Sequence, residues 1–211
     1  MSWIRGSGRR AFARICCAWS SALAVSAMAT GQTTFTEEAV ERGVACVVVQ
    51  GAFGGTGQYG CGVAVCDLDG DGRIDLAIAN RTGTFGAPLK NRLYRNLGGG
   101  MFVGVARALG VDSAFASFQA SWCDLDKDGD LDLYVANDKG APGVSWNQYY
   151  RNVTIDGATS FVQSPASGAQ ISIDAMGVVF GDLDGAAWPD LYIANVPTGN
   201  VLLKGIEGAV R

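Results

Sequence analysis

Apolar residues alternate with polar or small residues in short runs that recur along the chain. Three runs begin with an aspartate, continue as an alternating apolar stretch and end with an asparagine, at residues 75–80, 132–137 and 190–195. A second kind of run recurs downstream of each, at residues 91–96, 147–152 and, as a weaker copy, 200–205. Alternation with a period of two predicts half-buried β-strands. The sequence therefore predicts an all-β fold.

These runs belong to a repeat of about 57 residues. An acidic motif precedes each aspartate-led run, and its three copies, at 65–69, 122–126 and 180–184, align without gaps. A fourth element at 102–111 contains phenylalanine, alanine, glycine and valine at the same spacing as an earlier segment at 35–44. We therefore expect the chain to start with the end of a repeat. Four short strands per repeat, joined by glycine-rich turns, are typical of a β-propeller blade.

About three blades are predicted, in repeats at about 60–111, 117–165 and 174–211. Because propellers close with about four to eight blades, we expect an incomplete ring from this chain alone. Three explanations stay open: a truncated fragment, identical chains that complete the ring, or blades from another polypeptide. Truncation is favoured, because the sequence stops at Arg211 without a natural cap.

The first part of the chain predicts a signal peptide at residues 1–29, followed by the repeat region at 30–211. Four arginines form a basic start, residues 15–28 are mildly apolar, and residues 27–29 fit a small-residue cleavage pattern. A membrane anchor or a buried helix is the alternative, but the apolar stretch is too short to cross ~30 Å of hydrocarbon. Residues 8–14 also resemble a twin-arginine export motif, and the export route stays open. We expect an exported protein, periplasmic, cell-surface or secreted, with no membrane span after cleavage.

The composition argues against two classes of function. The sequence has no histidine, which excludes a mechanism based on an imidazole near neutral pH. The net charge is -4 and the basic residues are scattered, so nucleic-acid binding has little support.

Four cysteines follow the predicted signal peptide. Cys46 and Cys61 flank a glycine-rich turn and could form a disulfide, whereas Cys66 and Cys123 hold equivalent repeat positions and are expected to be small buried residues.

Aspartates follow the first strand of each repeat at a spacing that predicts metal sites. In the first two copies they stand at positions one, three, five and nine of a loop, and alternate residues of a curled loop point to one centre. Two carboxylates about 4 Å apart repel by roughly 4 kcal/mol at an effective dielectric of about 20, so the group requires a cation. Isolated polar turns are the alternative interpretation. The predicted ligand residues are Asp67, Asp69, Asp71, Arg73, Asp75, Asp124, Asp126, Asp128, Asp130, Asp132, Asp182, Asp184 and Asp190.

A flexible cage of oxygen ligands favours Ca²⁺ over Mg²⁺. Position seven, Arg73 or Asp130, is expected to contribute its backbone carbonyl, and Gly72 and Gly129 at position six are expected to adopt a left-handed turn. The loop is not an EF-hand, because position twelve lacks the bidentate glutamate and a strand follows. The third copy lacks the carboxylate at position five and the glycine at position six, which predicts weak or absent binding there.

These loops resemble the FG-GAP/VCBS repeat of integrin-α-like propellers, whose signature is Asp-x-Asp-x-Asp-Gly-x-x-Asp followed by a strand. The resemblance covers nearly everything after Gly31, although only Phe53 and Gly54 match the motifs that gave the repeat its name. The runs at 91–96 and 102–111 are more similar to the propeller of ASPIC/UnbV-type proteins. The resemblance implies a seven-bladed propeller with Ca²⁺ bound in each complete loop.

The leading functional hypothesis is a non-enzymatic binding or adhesion scaffold for an extracellular protein or glycan. The alternatives are a calcium-dependent enzyme acting on polysaccharides and a lectin-like carbohydrate-binding module. Trp146, Tyr149 and Tyr150 could form a sugar-stacking patch, but their spacing favours packing within a strand.

Overall fold

The computed structural model describes residues 36–45, 62–80, 90–138, 146–196 and 198–211. The predicted signal peptide, Cys46, Cys61 and the Phe53-Gly54 pair lie outside these residues. All described strands belong to a unit formed by residues 38–211. No helix in the described ranges has the length and apolar character needed to cross a bilayer.

Each repeat folds as an antiparallel sheet in which strands follow one another in sequence order. The first sheet contains β1 Gly62–Cys66, β2 Asp75–Ala79, β3 Arg92–Gly98 and β4 Met101–Gly104. The second sheet contains β5 Ser117–Cys123, β6 Asp132–Asn137, β7 Gln148–Asn152 and β8 Phe161–Gln163. The third repeat forms β9 Ala175–Gly181, β10 Asp190–Asn195, β11 Val201–Leu203, β12 Gly205–Ile206 and β13 Ala209–Val210. The prediction of an all-β fold built from four-stranded blades is confirmed.

The third blade has the same order of strands with a shorter outer strand. Lys204 lies between β11 and β12 and exchanges two backbone hydrogen bonds, of 2.8 and 2.9 Å, with Arg211. In the third blade, Gly205 pairs with Val210. This pair is equivalent to Asn96 paired with Phe102 in the first blade and to Asn152 paired with Phe161 in the second. Short β13 thus takes the position of the fourth strand.

The blades pack face to face, and two apolar clusters fill the spaces between them. We call the face turned to the next blade the front and the face turned to the preceding blade the back. The first cluster joins the front of the first blade to the back of the second, and the other joins the front of the second blade to the back of the third. Tyr134 on a front and Phe180 on the facing back meet edge to face, with ring centroids 5.6 Å apart.

The first strands of successive blades lie next to each other. A Cβ atom on Gly62 of β1 would come within 2.4 Å of the carbonyl oxygen of Phe118 in β5, so only glycine permits this approach. Between β5 and β9, the side-chain amide of Gln119 both donates to the carbonyl of Val178 and accepts from its N–H, each at 3.0 Å. These contacts place the loops that follow the three strands at the same end of their blades.

Several details predicted from the sequence are found in the structure. Cys66 and Cys123 are buried free thiols, and Tyr149 and Tyr150 are buried in the clusters on opposite faces of the second blade, so their packing role is confirmed. The repeated element is also present: Val111 donates to the carbonyl of Ala106, and the equivalent Val44 to that of Ala39, both at 2.9 Å.

Candidate metal centres

Each aspartate loop is held by its first residue. The carboxylate of Asp67 accepts the backbone N–H groups of Asp71 and Gly72 at 3.1 and 2.8 Å, and Asp124 accepts that of Gly129 at 3.2 Å. The loop must curl sharply for these bonds to form, and Gly72 and Gly129 have φ angles of 82° and 95°. The predicted left-handed turn at position six is therefore confirmed, and glycine adopts it without steric cost.

The last aspartate of each loop joins the loop to the third strand. Asp75, Asp132 and Asp190 are buried at the start of β2, β6 and β10. In the second blade, Oδ2 of Asp132 accepts the N–H of Leu125 at 3.1 Å and the hydroxyl of Tyr149 at 2.5 Å, while Oδ1 accepts the N–H of Asn152 at 2.8 Å. Because a buried carboxylate needs such donors, position nine has a structural role that the ligand prediction did not include.

The structure brings three carboxylates together in every loop, with one oxygen atom of each lying within 4.8 Å of the others. Asp75 in the first loop and Asp128 in the second are not among them, whereas the sequence pattern grouped four. The groups are Asp67, Asp69 and Asp71; Asp124, Asp126 and Asp132; and Asp182, Asp184 and Asp190.

The third loop keeps the backbone shape of the other two without the glycine at position six. Ala187 occupies that position with φ of 69°, and its N–H donates to Asp182 at 3.0 Å as the glycines donate in the other copies. A residue with a Cβ atom adopts this conformation at a cost of about 1 kcal/mol. Three carboxylates converge here as in the other loops, and the third loop differs from them mainly in having Ala186 where they have a further aspartate at position five.

A basic residue of the third strand faces the position-three aspartate in each blade. Nε of Arg95 lies 3.1 Å from Oδ2 of Asp69, and Nε of Arg151 lies 3.2 Å from Oδ2 of Asp126. Lys204 forms the equivalent ion pair with Asp184 in the third blade. Sequence analysis did not identify these residues, although a basic side chain at one repeat position of all three copies was a visible signal.

Burial raises the pKa of two carboxyl groups in the second loop. Burial raises the pKa of Asp132 to about 6, although the hydrogen bond from Tyr149 acts in the opposite direction. Burial, together with the charge of Asp128, also raises the pKa of Asp126. Buried Oδ1 atoms of Asp124 and Asp126 lack a hydrogen-bond donor within the described part of the chain. These oxygen atoms are therefore suited to accept a cation.

Neighbouring loops lie side by side. A cavity of about 270 Å³ is lined by Asp67, Asp69 and Gly70 of the first loop and by Gly129, Asp130 and Leu131 of the second. On the other side, Nζ of Lys127 in the second loop lies 4.5 Å from the ring centroid of Trp188 in the third loop, within the range of a cation–π contact. The three acidic groups thus form a row across adjacent blades.

The chain matches one family of repeat proteins. A family model described as the FG-GAP-like repeat matches the chain twice, at residues 67–135 and 124–193. The first match begins at the first aspartate of the first loop, and the second at the first aspartate of the second loop, so the matched unit has the same phase as the acidic loops. Together the matches cover more than half of the chain. No curated protein matches the chain.

Proposed function

Because the chain belongs to the FG-GAP-like repeat family, we propose that it is an exported, calcium-binding β-propeller protein that acts as a non-enzymatic scaffold for a protein or glycan partner. The observation that carries the calcium proposal is the convergence of three carboxylates in each loop, together with buried Oδ1 atoms of Asp124 and Asp126 that have no donor among the described residues.

The chemistry of the donor set favours calcium. All candidate side-chain ligands are carboxylates on a curled loop, and hard oxygen donors select a hard cation. Ca²⁺ accepts six to eight oxygen ligands in irregular geometry, whereas Mg²⁺ requires near-octahedral coordination and retains water. In the proposed sites, the side-chain ligands are the three converging carboxylates of each loop, which lie at positions one, three and five in the first loop and at positions one, three and nine in the second and third loops. Arg73 and Asp130 are proposed to contribute backbone carbonyls.

The third loop is proposed to bind calcium more weakly than the first two. It offers Asp182, Asp184 and Asp190, but its position five is Ala186. One carboxylate fewer lowers the charge of the site, and ligand charge is a main determinant of calcium affinity.

The proposed ions are structural. Extracellular calcium modules bind with dissociation constants of about 0.1 to 1 mM, so millimolar calcium stabilises each occupied loop by about 1 kcal/mol. Export to a compartment rich in calcium fits this affinity range. We include in this proposal the signal peptide at 1–29 and the resemblance of the repeat region to ASPIC/UnbV-type propellers.

Calorimetric titration with CaCl₂ tests the metal proposal. The comparison is between the wild-type chain and the double variant Asp67→Asn/Asp124→Asn, which removes the first ligand of both complete loops. We expect the calcium affinity of both sites to fall at least tenfold, because the loss of one ligand charge costs about 1.4 kcal/mol of binding free energy. Asp156→Asn is the matched control, because Asp156 is an exposed turn residue outside the loops. Equal calcium affinity in the wild type and the double variant would refute the site assignment.

The scaffold proposal has a separate test. Binding of the calcium-loaded chain to glycan arrays and to extracellular protein fractions is compared with binding in the presence of a chelator. Turnover of acidic polysaccharides would instead support an enzyme. The structure gives the aromatic patch no support, because Tyr149 and Tyr150 are buried.

A further inference from the structure

Thr159 of the second blade has a buried hydroxyl group whose hydrogen-bonding capacity is unused. The residue is 9% exposed, and its Oγ1 has no hydrogen-bond partner among the residues that the structure describes. By contrast, Thr154 of the same β7–β8 hairpin donates its hydroxyl to Oδ1 of Asn152 at 2.8 Å. Because a buried hydroxyl without a partner is unfavourable, the Thr159 hydroxyl is suited to a ligand that the described protein groups do not supply.

The cavity between the first two loops joins this hydroxyl to the first metal centre. Thr159 lines the cavity of about 270 Å³ together with Asp67 and Asp69, which are two of the three carboxylates that converge in the first loop. The buried Oδ1 of Asp69 also has no donor in the described part of the chain. One unpartnered oxygen atom from each blade therefore borders the same space, which is polar and large enough for a hydrated cation.

The gap between the second and third blades has a glycine at the equivalent position. Gly208 lies two residues before Val210 in the β12–β13 hairpin. Thr159 lies two residues before Phe161, and strand register makes Phe161 and Val210 equivalent. A Cβ atom on Gly208 would come within 3.3 Å of the Cβ of Asp126, the position-three aspartate of the second loop. Thr159 thus holds the place beside the position-three aspartate of the preceding blade, and the second gap has no hydroxyl there.

We infer that Thr159 contributes its hydroxyl oxygen to the calcium ion of the first loop, so that this centre spans two blades. The inference rests on the proposed calcium binding of the loops. Ca²⁺ accepts six to eight oxygen ligands, and the first loop supplies three converging carboxylates and the proposed carbonyl of Arg73. A hydroxyl oxygen adds a ligand without adding negative charge to the site. Calcium in the first loop then ties the first blade to the second, whereas the second centre lacks this ligand because Gly208 holds the position.

Calorimetric titration with CaCl₂ tests this inference in the full chain carrying Asp124→Asn, a background that weakens the second loop and leaves the first as the strongest proposed site. Thr159→Val removes the hydroxyl and keeps the shape of the side chain, whereas Thr159→Ser keeps the hydroxyl. Thr154→Val is the matched control, because Thr154 lines the same cavity but its hydroxyl already has a partner. Thermal unfolding in chelator measures the effect of each substitution on the metal-free protein.

We expect Thr159→Val to lower the calcium affinity of the first loop about tenfold, the lower end of the effect of removing a group that supports a metal site. Thr159→Ser and Thr154→Val should keep the affinity of the background. In chelator, Thr159→Val should not lower the Tm, because it removes a buried hydroxyl that has no described partner. A purely structural role for the hydroxyl predicts the opposite pattern, a lower Tm in chelator with unchanged calcium affinity.

The outcomes separate this inference from the calcium proposal. Calcium binding of equal affinity in Thr159→Val and in the background would overturn the inference and leave the calcium proposal standing. An equal loss of affinity in Thr159→Val and Thr154→Val would also overturn it, because the effect would then not belong to the unpartnered hydroxyl. If none of these proteins binds calcium, both proposals are wrong.

Discussion

Arg151 of β7 lies with its Nε 3.2 Å from Oδ2 of Asp126 in the second aspartate loop. The first blade repeats this relationship between Arg95 and Asp69, and the third repeats it between Lys204 and Asp184. Each loop thus carries a built-in positive charge beside the carboxylate at position three. In the proposed calcium sites, this charge competes with the ion for the same oxygen atom.

Replacing both arginines, in Arg95→Gln/Arg151→Gln, should raise calcium affinity several-fold. A unit positive charge near a divalent ion contributes about 1 kcal/mol of repulsion at a water-like dielectric, and its removal favours the ion. The same change should lower the stability of the calcium-free protein by less than about 1 kcal/mol, because half-exposed ion pairs contribute little. Calorimetric titration and denaturation in chelator measure the two effects.

The control for this prediction is Arg92→Gln. Arg92 is exposed on β3, so its substitution removes the same charge from the same strand at a greater distance from the loop. Equal calcium affinities of the first loop in the arginine double variant and in Arg92→Gln would show that the ion pair of Arg95 does not compete with calcium.

A second prediction concerns pH. The pKa of Asp132 is raised from 3.8 to about 6 in the folded, metal-free protein, so the folded state holds this proton more tightly than the unfolded state. Its contribution to stability is therefore fully present below about pH 4 and is lost as the pH rises through about 6. Calcium requires the charged carboxylate, so its stabilising effect should be larger near pH 7.5 than near pH 5.

Differential scanning calorimetry with calcium and with chelator, at both pH values, checks this expectation. The calcium-induced rise in Tm should shrink at the lower pH, and Asp132→Asn should remove much of that difference. A calcium-induced rise of the same size at both pH values would contradict the role given to Asp132.

The strands were predictable because their signal is local. The runs at 132–137 and 190–195 match β6 and β10 at both ends, since apolar alternation on a half-buried sheet is visible in the residues themselves. The phase of the repeat and its resemblance to the FG-GAP family were likewise correct. The short outer strand β13 was not predicted, because its place depends on pairing with Gly205 and Ile206 rather than on its own sequence.

The arrangement inside the loops was less predictable. Spacing alone grouped four aspartates in the first loop, but Asp75, which accepts the N–H groups of Leu68 and Asn96 at 2.9 and 2.7 Å, is not among the three that converge. The ion pair between Arg95 and Asp69 joins residues on different elements, and it depends on the register that pairs Leu76 with Tyr94. Such contacts arise from tertiary packing, which no periodicity in the sequence encodes.

The buried thiols supply a third prediction. Burial, followed by the charge of Asp75, raises the pKa of the Cys66 thiol to about 12, and burial together with Asp132 raises that of Cys123. Because the thiolate is the reactive form, both cysteines should resist alkylation in the folded protein and react after denaturation. Mass spectrometry of peptides after iodoacetamide treatment measures this, and rapid labelling of either residue in the native protein would contradict it.

The fourth prediction concerns the left-handed residue of the third loop. Ala187 has φ of 69° where the other loops have glycine, so Ala187→Gly should relieve about 1 kcal/mol of backbone strain. Ala186→Gly is the matched control: Ala186 has no positive φ, so glycine there should destabilise the protein by roughly 0.5 to 1 kcal/mol through the entropy of the unfolded chain. Chemical denaturation in chelator measures both variants. Because the entropy cost of glycine applies to both variants, Ala187→Gly is expected to be more stable than Ala186→Gly by about 1 kcal/mol. An equal loss of stability in the two variants would show that the loop accommodates Ala187 without strain.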